Sequence, residues 1–172
     1  LNVHGNHDEG YDQAPPGGCT CIDDMIYVYQ GVRILGLGGS YRYRDGKYMY
    51  TEAQMRCRIR RLWFQLHKYG GFDILVTHAP ARHINDLDNL SHWGFDCLVD
   101  LLEKYKPKYF LHGHIHQTYG VQIHQKTLRG ETNIFHNSEH KEFECCSVWC
   151  SGLPQPYTPH CVRGEPVQLS TT

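Results

Sequence analysis

Three short stretches of the chain carry the side chains best suited to chemistry. Each is a few apolar residues running into a polar turn that holds histidine. They are Leu1-Asn2-Val3 leading into Gly5-Asn6-His7-Asp8, Ile74-Leu75-Val76-Thr77 leading into His78, and Tyr109-Phe110-Leu111 leading into Gly113-His114-Ile115-His116. Imidazole nitrogens and an amide oxygen together suit zinc, iron or manganese, whereas calcium calls for more oxygen ligands. A single histidine at a strand end is ordinarily a surface or hydrogen-bonded residue. The same design three times over favours one shared metal or catalytic site.

Whether the site is shared depends on the elements that carry these turns. In an open α/β sheet the carboxyl ends of parallel strands open onto one crevice, where ligands bind. Parallel packing of the three stretches would bring Asn6, His7, His78, His114 and His116 together there, with His114 and His116 facing the same way if that stretch is extended. The rest of the chain reads consistently with such a sheet. Two apolar runs, Met25 to Tyr29 and Val32 to Leu37, joined by Gln30-Gly31, predict a hairpin. Thr51 with Gln54 forms a capping box, and Met55, Ile59, Leu62 and Leu66 behind it recur at helical spacing, predicting a helix over about 52–69 that Gly70-Gly71 ends. Phe72 to Thr77 is a nearly unbroken apolar run, as a buried strand requires. Phe95, Leu98, Val99, Leu102 and Tyr105 mark a second helix that Pro107 stops, and 121–124 and 131–135 read as hairpin strands. This alternation implies an α/β fold with parallel neighbours. From Cys145 onward both periodicities vanish among prolines and cysteines, so we expect a domain over 1–144 and a poorly ordered tail over 145–172.

Composition excludes several classes. A chain of 172 residues with 40% hydrophobic and 20% charged residues has enough apolar surface for one core and is not disordered throughout. No apolar run approaches the roughly 20 residues of a bilayer span, so no membrane role is expected. The formal charge of −1 lacks the basic footprint of a nucleic-acid binder. The eight cysteines are irregularly spaced and include no CxxC pair, which points to free thiols in a reducing cytosol rather than a disulfide framework. Cys19-Thr20-Cys21 reads as two incidental thiols, with a metal pair as the alternative.

The Gly5-Asn6-His7-Asp8 turn, the His78 that follows Val76-Thr77, and Gly113-His114-Ile115-His116 resemble, in this order, the third, fourth and fifth motifs of the calcineurin-like metallophosphoesterases. The paired Gly38-Gly39 turn after the hairpin belongs to the same resemblance, which covers about residues 1–144. It implies a four-layer α/β/β/α sandwich. It also implies hydrolysis of phosphate monoesters or diesters by two divalent metals (Mn, Fe or Zn) that share a bridging hydroxide. Carried over motif by motif, Asn6, His78 and His114 are the implied ligands of the second metal and His116 of the first. His7 is implied near the leaving-group oxygen, where a group titrating near neutrality suits proton donation. Asp8 would accept a hydrogen bond from His7; a turn-capping carboxylate is the other reading. The family's first two motifs, an Asp-x-His and a Gly-Asp, normally precede the third and are not found in this chain, which opens on Leu1 rather than Met. We therefore expect an N-terminally truncated domain that by itself binds metal weakly and is inactive. A non-catalytic metal-binding or interaction module is the alternative.

Other residues are open to two readings. Arg42 after the Gly38-Gly39 turn suits a phosphate contact, but a solvated arginine beside tyrosines is the plainer reading. His92 ahead of the second helix either lines the cleft or caps the helix. Asp86, Asp88 and Asn89 lack the glycine and distal glutamate of a calcium loop. The Arg56, Arg58, Arg60, Arg61 cluster reads as a solvated helix face, and His4 and His112 as incidental neighbours of the motifs.

Overall fold

The computed structural model describes residues 1–11, 17–115, 123–128 and 132–137. Strands β1 (Met25–Tyr29) and β2 (Val32–Leu37) form the expected antiparallel hairpin. Its two-residue turn puts Gln30 at φ +48° and Gly31 at φ +82°. Positive φ at both central positions matches the right-handed twist of the flanking strands. Two short strands, β3 (Ser40–Tyr41) and β4 (Met49–Tyr50), pair with each other as a separate ribbon. Then come α1 (Glu52–Arg61), α2 (Trp63–Tyr69), β5 (Ile74–Thr77), α3 (Asp96–Tyr105), β6 (Tyr109–His112), β7 (Ile123–Leu128) and β8 (Thr132–Asn137).

The central sheet is mixed and six-stranded, in the order β1-β2-β5-β6-β8-β7. The inner pairs β2–β5, β5–β6 and β6–β8 are parallel, while both edge pairs are antiparallel hairpins. Side chains alternate between its faces, as the pleat demands. Leu35, Leu37, Leu75, Phe110 and Ile134 pack toward the helices with Met55, Leu62, Leu66, Leu98, Leu101 and Leu102. Ile34, Ile74, Val76 and Leu111 face the other way, against Val3 and Ile22. The middle strands are thus buried on both faces, which explains why their sequences are continuously apolar rather than alternating.

The capping box at Thr51 and Gln54 is present as the sequence predicts. The single helix over 52–69 is instead two, broken at Leu62. There the chain tightens, with the Leu62 N–H bonded to the Ile59 carbonyl at 3.1 Å, while the Leu62 side chain stays in the core. Gly70 in the left-handed region at φ +65° ends α2. Helix α3 has no capping side chain of its own at Phe95. Glu52, in the first turn of α1, supplies one by accepting hydrogen bonds from the N–H groups of Asp96 and Cys97 at 3.1 and 2.8 Å. Lys106 at φ +48° and then Pro107 stop α3.

Two expectations need correction. Leu1 to Val3 is not a strand of the sheet among the described residues. It makes one parallel bridge, Asn2 to Cys21, fixed by hydrogen bonds from Asn2 N–H to Thr20 O and from Ile22 N–H to Asn2 O, both 2.9 Å. Nor is Arg58 solvated. It is buried, donates to Asp24 and to the Gly38 carbonyl at 2.6 Å, and stacks over the Tyr50 ring with its guanidinium carbon 4.2 Å from the centroid. The tail over 145–172 and the remainder of the second hairpin lie outside the described residues.

Candidate metal centre

Strands β5 and β6 pair in parallel, with Val76 opposite Leu111, so the turns that follow them leave the sheet side by side. The Gly113 N–H donates to the His78 carbonyl at 3.0 Å, locking the two turns together. The Gly5-Asn6-His7-Asp8 turn reaches the same place from the other side. Gly39 N–H holds it through the His4 carbonyl at 2.6 Å, and the buried Asp8 carboxylate accepts the Gly5 N–H at 2.6 Å. Gly5 has to be glycine. A Cβ there would lie 2.8 Å from His78 Cε1 and 3.0 Å from His78 Nδ1.

Three donor atoms meet at this point. His78 Nε2 is 2.9 Å from Asn6 Oδ1 and 2.9 Å from His114 Nδ1, and all three residues are buried. The outer contacts decide which atoms face inward. His114 Nε2 lies 2.7 Å from the Ser91 carbonyl oxygen. A carbonyl only accepts, so Nε2 carries the proton and Nδ1 turns a lone pair into the cluster. Orientation of a ligand imidazole by a backbone carbonyl is the usual arrangement around a bound metal. The Asn6 amide nitrogen donates to the Tyr43 hydroxyl at 3.5 Å, leaving its oxygen toward His78. His114 sits at φ +73°, a conformation costly for a residue with a Cβ and often found where a site holds the backbone. Amide oxygen and imidazole nitrogen lone pairs converging on one point fit a divalent cation of borderline hardness.

The other expected site residues are distributed as follows. His7 is exposed at the tip of its turn, while Asp8 behind it is buried. His116 lies outside the described residues. The His92 ring is 5.3 Å from that of His114, on the short 3₁₀ turn Leu90–His92, and its N–H is also capped by Asn89 at 3.1 Å; it stands against the cluster and is tied into its own turn. Arg42 pairs with Asp45 in its own loop, and no described contact joins it to Asn6, His78 or His114. Tyr43 and Ser91 were not legible as site residues. Neither sits in a strand-end motif, and Ser91 acts through its backbone, which no side-chain pattern reveals. His112 is buried and packs on Phe110, with Nε2 3.3 Å from the Asn85 amide nitrogen.

Comparison with known proteins identifies the family. The family model for calcineurin-like phosphoesterases matches residues 2–118. Two curated relatives come from Caenorhabditis elegans. UPF0046 protein C25E10.12 is 27% identical over 122 residues, covering 67% of this chain and 40% of the relative. UPF0046 protein K07C11.7 is 27% identical over 139 residues, covering 70% and 47%. The chain thus spans less than half the length of either. A crystal structure, TT1561 of Thermus thermophilus, is 16% identical with a TM-score of 0.47, covering 69% of this chain and 49% of that one. No helix among the described residues is long and apolar enough to cross a membrane. With the family model spanning the turns that bear Asn6, His78 and His114, the chain belongs to the calcineurin-like phosphoesterase family.

Proposed function

We propose that the protein is a metal-dependent phosphoesterase acting on phosphate monoesters or diesters at a dinuclear centre, one position of which Asn6, His78 and His114 would hold. The observation supporting this is the convergence of Asn6 Oδ1 and His114 Nδ1 on His78 Nε2, each at 2.9 Å. When bound, a pair of manganese, iron or zinc ions neutralises charge on the phosphoryl oxygens and lowers the pKa of bound water. His116, two residues beyond His114, would serve the other ion.

The chain's own groups contribute orientation and proton transfer. Tyr43 holds the Asn6 amide by its nitrogen, and Ser91 holds His114 in one tautomer. His7, exposed at the tip of the turn that carries Asn6, would give a proton to the departing ester oxygen. Asp8 keeps that turn closed through the Gly5 N–H. His92, against His114, would line the approach of the substrate. Arg42 would have to leave Asp45 to touch a phosphate. We place the protein in the reducing cytosol, with phosphate esters and no membrane as partners; the near-neutral charge of −1 disfavours nucleic acid without excluding it.

The test is hydrolysis of nitrophenyl phosphate and bis-nitrophenyl phosphate with manganese, with and without a chelator, by the chain extended upstream to carry the Asp-x-His and Gly-Asp motifs; the 172-residue chain alone is expected to bind metal weakly and show no turnover. Chelation should abolish turnover. His7→Ala should lower kcat by roughly a hundred- to ten-thousand-fold with metal content unchanged. Turnover that survives chelation contradicts the metal dependence, and an unchanged kcat in His7→Ala contradicts the acid role.

A further inference from the structure

A second group of ligand-type side chains stands just before the Gly5-Asn6-His7-Asp8 turn and shares no residue with the cluster above. His4 Nδ1 is 2.7 Å from Asp23 Oδ2 and 3.6 Å from Cys21 Sγ. The three donor atoms all lie within 4.8 Å of one another. They come from segments far apart in sequence that the Asn2–Cys21 bridge and the Asp23–Gly36 bridge bring together. We propose that His4, Cys21 and Asp23 form a binding site for one zinc-class divalent cation, with a fourth position open to water.

The geometry is close to what such an ion needs. With Zn–S near 2.3 Å and Zn–N and Zn–O near 2.1 Å, tetrahedral ligand atoms stand about 3.4–3.6 Å apart. The sulfur–nitrogen pair is already there at 3.6 Å. The nitrogen–oxygen pair has to open by about 0.7 Å on the same reckoning, and the sulfur–oxygen pair lies within 4.8 Å. Thiolate, imidazole and carboxylate together are a zinc or cobalt donor set rather than a calcium or magnesium one. Cys21 is exposed, which leaves the fourth position to solvent.

Two further observations point the same way. Asp23 Oδ1 is buried and has no hydrogen-bond partner, so the carboxylate's charge is incompletely compensated where it sits. The guanidinium of Arg58 is taken by the adjacent carboxylate, Asp24. Burial, with the Asp23 and Asp24 carboxylates adding to it, pushes the Cys21 thiol up, against a backbone hydrogen bond that lowers it. The two neighbouring carboxylates, unlike the burial, favour a cation here, and a coordinating metal removes the thiol proton outright. Binding would release the thiol proton of Cys21 and move the His4 Nδ1 proton to Nε2, leaving neutral imidazole and thiolate as ligands. The ion would tie His4, and with it the turn carrying Asn6 and His7, to the start of the hairpin. His4 already stacks on Tyr48, with ring centroids 4.4 Å apart and planes 11° from parallel, so the ring needs little reorientation.

The test is titration of the metal-stripped protein with cobalt(II) alone, reading the near-ultraviolet thiolate-to-cobalt charge-transfer band. Alkylation of Cys21 is followed in parallel by peptide mass analysis. The band and metal protection of Cys21 should both be lost in Cys21→Ser, His4→Gln and Asp23→Asn, with far-ultraviolet dichroism showing which variants keep their fold. Cys19→Ser and His78→Ala should keep both. A band that survives in Cys21→Ser, no thiolate band in the unaltered protein, or unchanged alkylation of Cys21 at saturating cobalt overturns the proposal.

Discussion

His78 Nε2 stands 2.9 Å from His114 Nδ1 across the carboxyl ends of two neighbouring parallel strands. Only one proton fits between two imidazole nitrogens at that distance, and His114 already donates its own to the Ser91 carbonyl. The His78 proton is therefore shared between His114 and Asn6, and a divalent cation would replace it with bonds to all three. The sheet register creates this relationship, because the strands deliver both turns to one edge.

Gly5 is the most sensitive point in the support of that cluster. Gly5→Ala places a methyl group 2.8 Å from His78 Cε1, so the ring has to move. We expect a stability loss of about 1–3 kcal/mol from overpacking. A displacement of about 1 Å in a metal-holding group costs roughly a hundredfold in rate, so manganese-dependent hydrolysis by the chain extended upstream should fall by about that factor while the protein stays folded. Urea denaturation alongside steady-state kinetics separates the two effects.

Arg58 joins α1 to the Gly38-Gly39 turn through Asp24, the Gly38 carbonyl and Tyr50. Arg58→Met should cost about 2–3 kcal/mol, since a buried carbonyl and a carboxylate lose a charged donor. Arg58→Lys should recover little, because an ammonium cannot serve the forked and stacked contacts at once. Chemical denaturation of the two variants measures both effects.

These contacts also show what a linear reading captures. Thr51 with Gln54, the Gln30-Gly31 turn and the apolar runs of β2, β5 and β6 are local signals, and each produces the expected element. His78 and His114 were legible as candidates because each follows such a run, and Asn6 because its turn repeats the same polar design, although Leu1 to Val3 makes only an isolated bridge. What was not legible arises from contacts between distant segments. The Arg56 to Arg61 cluster looks uniform in sequence, but Arg58, facing Asp24 and Tyr50, is the buried one. His4 and Cys21 look incidental until one bridge between residues 2 and 21 sets them side by side. Tyr43 and Ser91 carry no motif at all.

The start of β2 holds a pH-dependent pair. Arg33 donates to both oxygens of Asp73 at 2.9 Å, and that hydrogen bonding lowers the Asp73 carboxyl from 3.8 to about 2. A carboxyl depressed in the folded state adds stability above its unfolded pKa and loses it as pH falls toward the folded value. The window is therefore about pH 4 down to about pH 2, and the contribution at neutral pH is on the order of 2 kcal/mol. Asp73→Asn should lose about that much near neutrality and flatten the acid limb. Denaturant midpoints measured across this range check it, and an unchanged acid limb would contradict it.

Cys97 and Cys57 should react very differently. Burial first, and then the Glu52 carboxylate, push the Cys97 thiol far up, whereas Cys57 is exposed. A disulfide reagent should modify Cys57 readily and Cys97 only on unfolding. Glu52→Ala removes the cap on α3 and should cost about 1 kcal/mol while making Cys97 more accessible. Labelling rates with residue-level mass analysis report both.

The most direct test of the central claim is anomalous diffraction from crystals of the protein grown with excess manganese. A manganese peak bonded to Asn6 Oδ1, His78 Nε2 and His114 Nδ1 together is expected, lost in His78→Ala. Saturating manganese that leaves no peak among these three atoms, or that binds with His78 and His114 still hydrogen-bonded to each other, would contradict it.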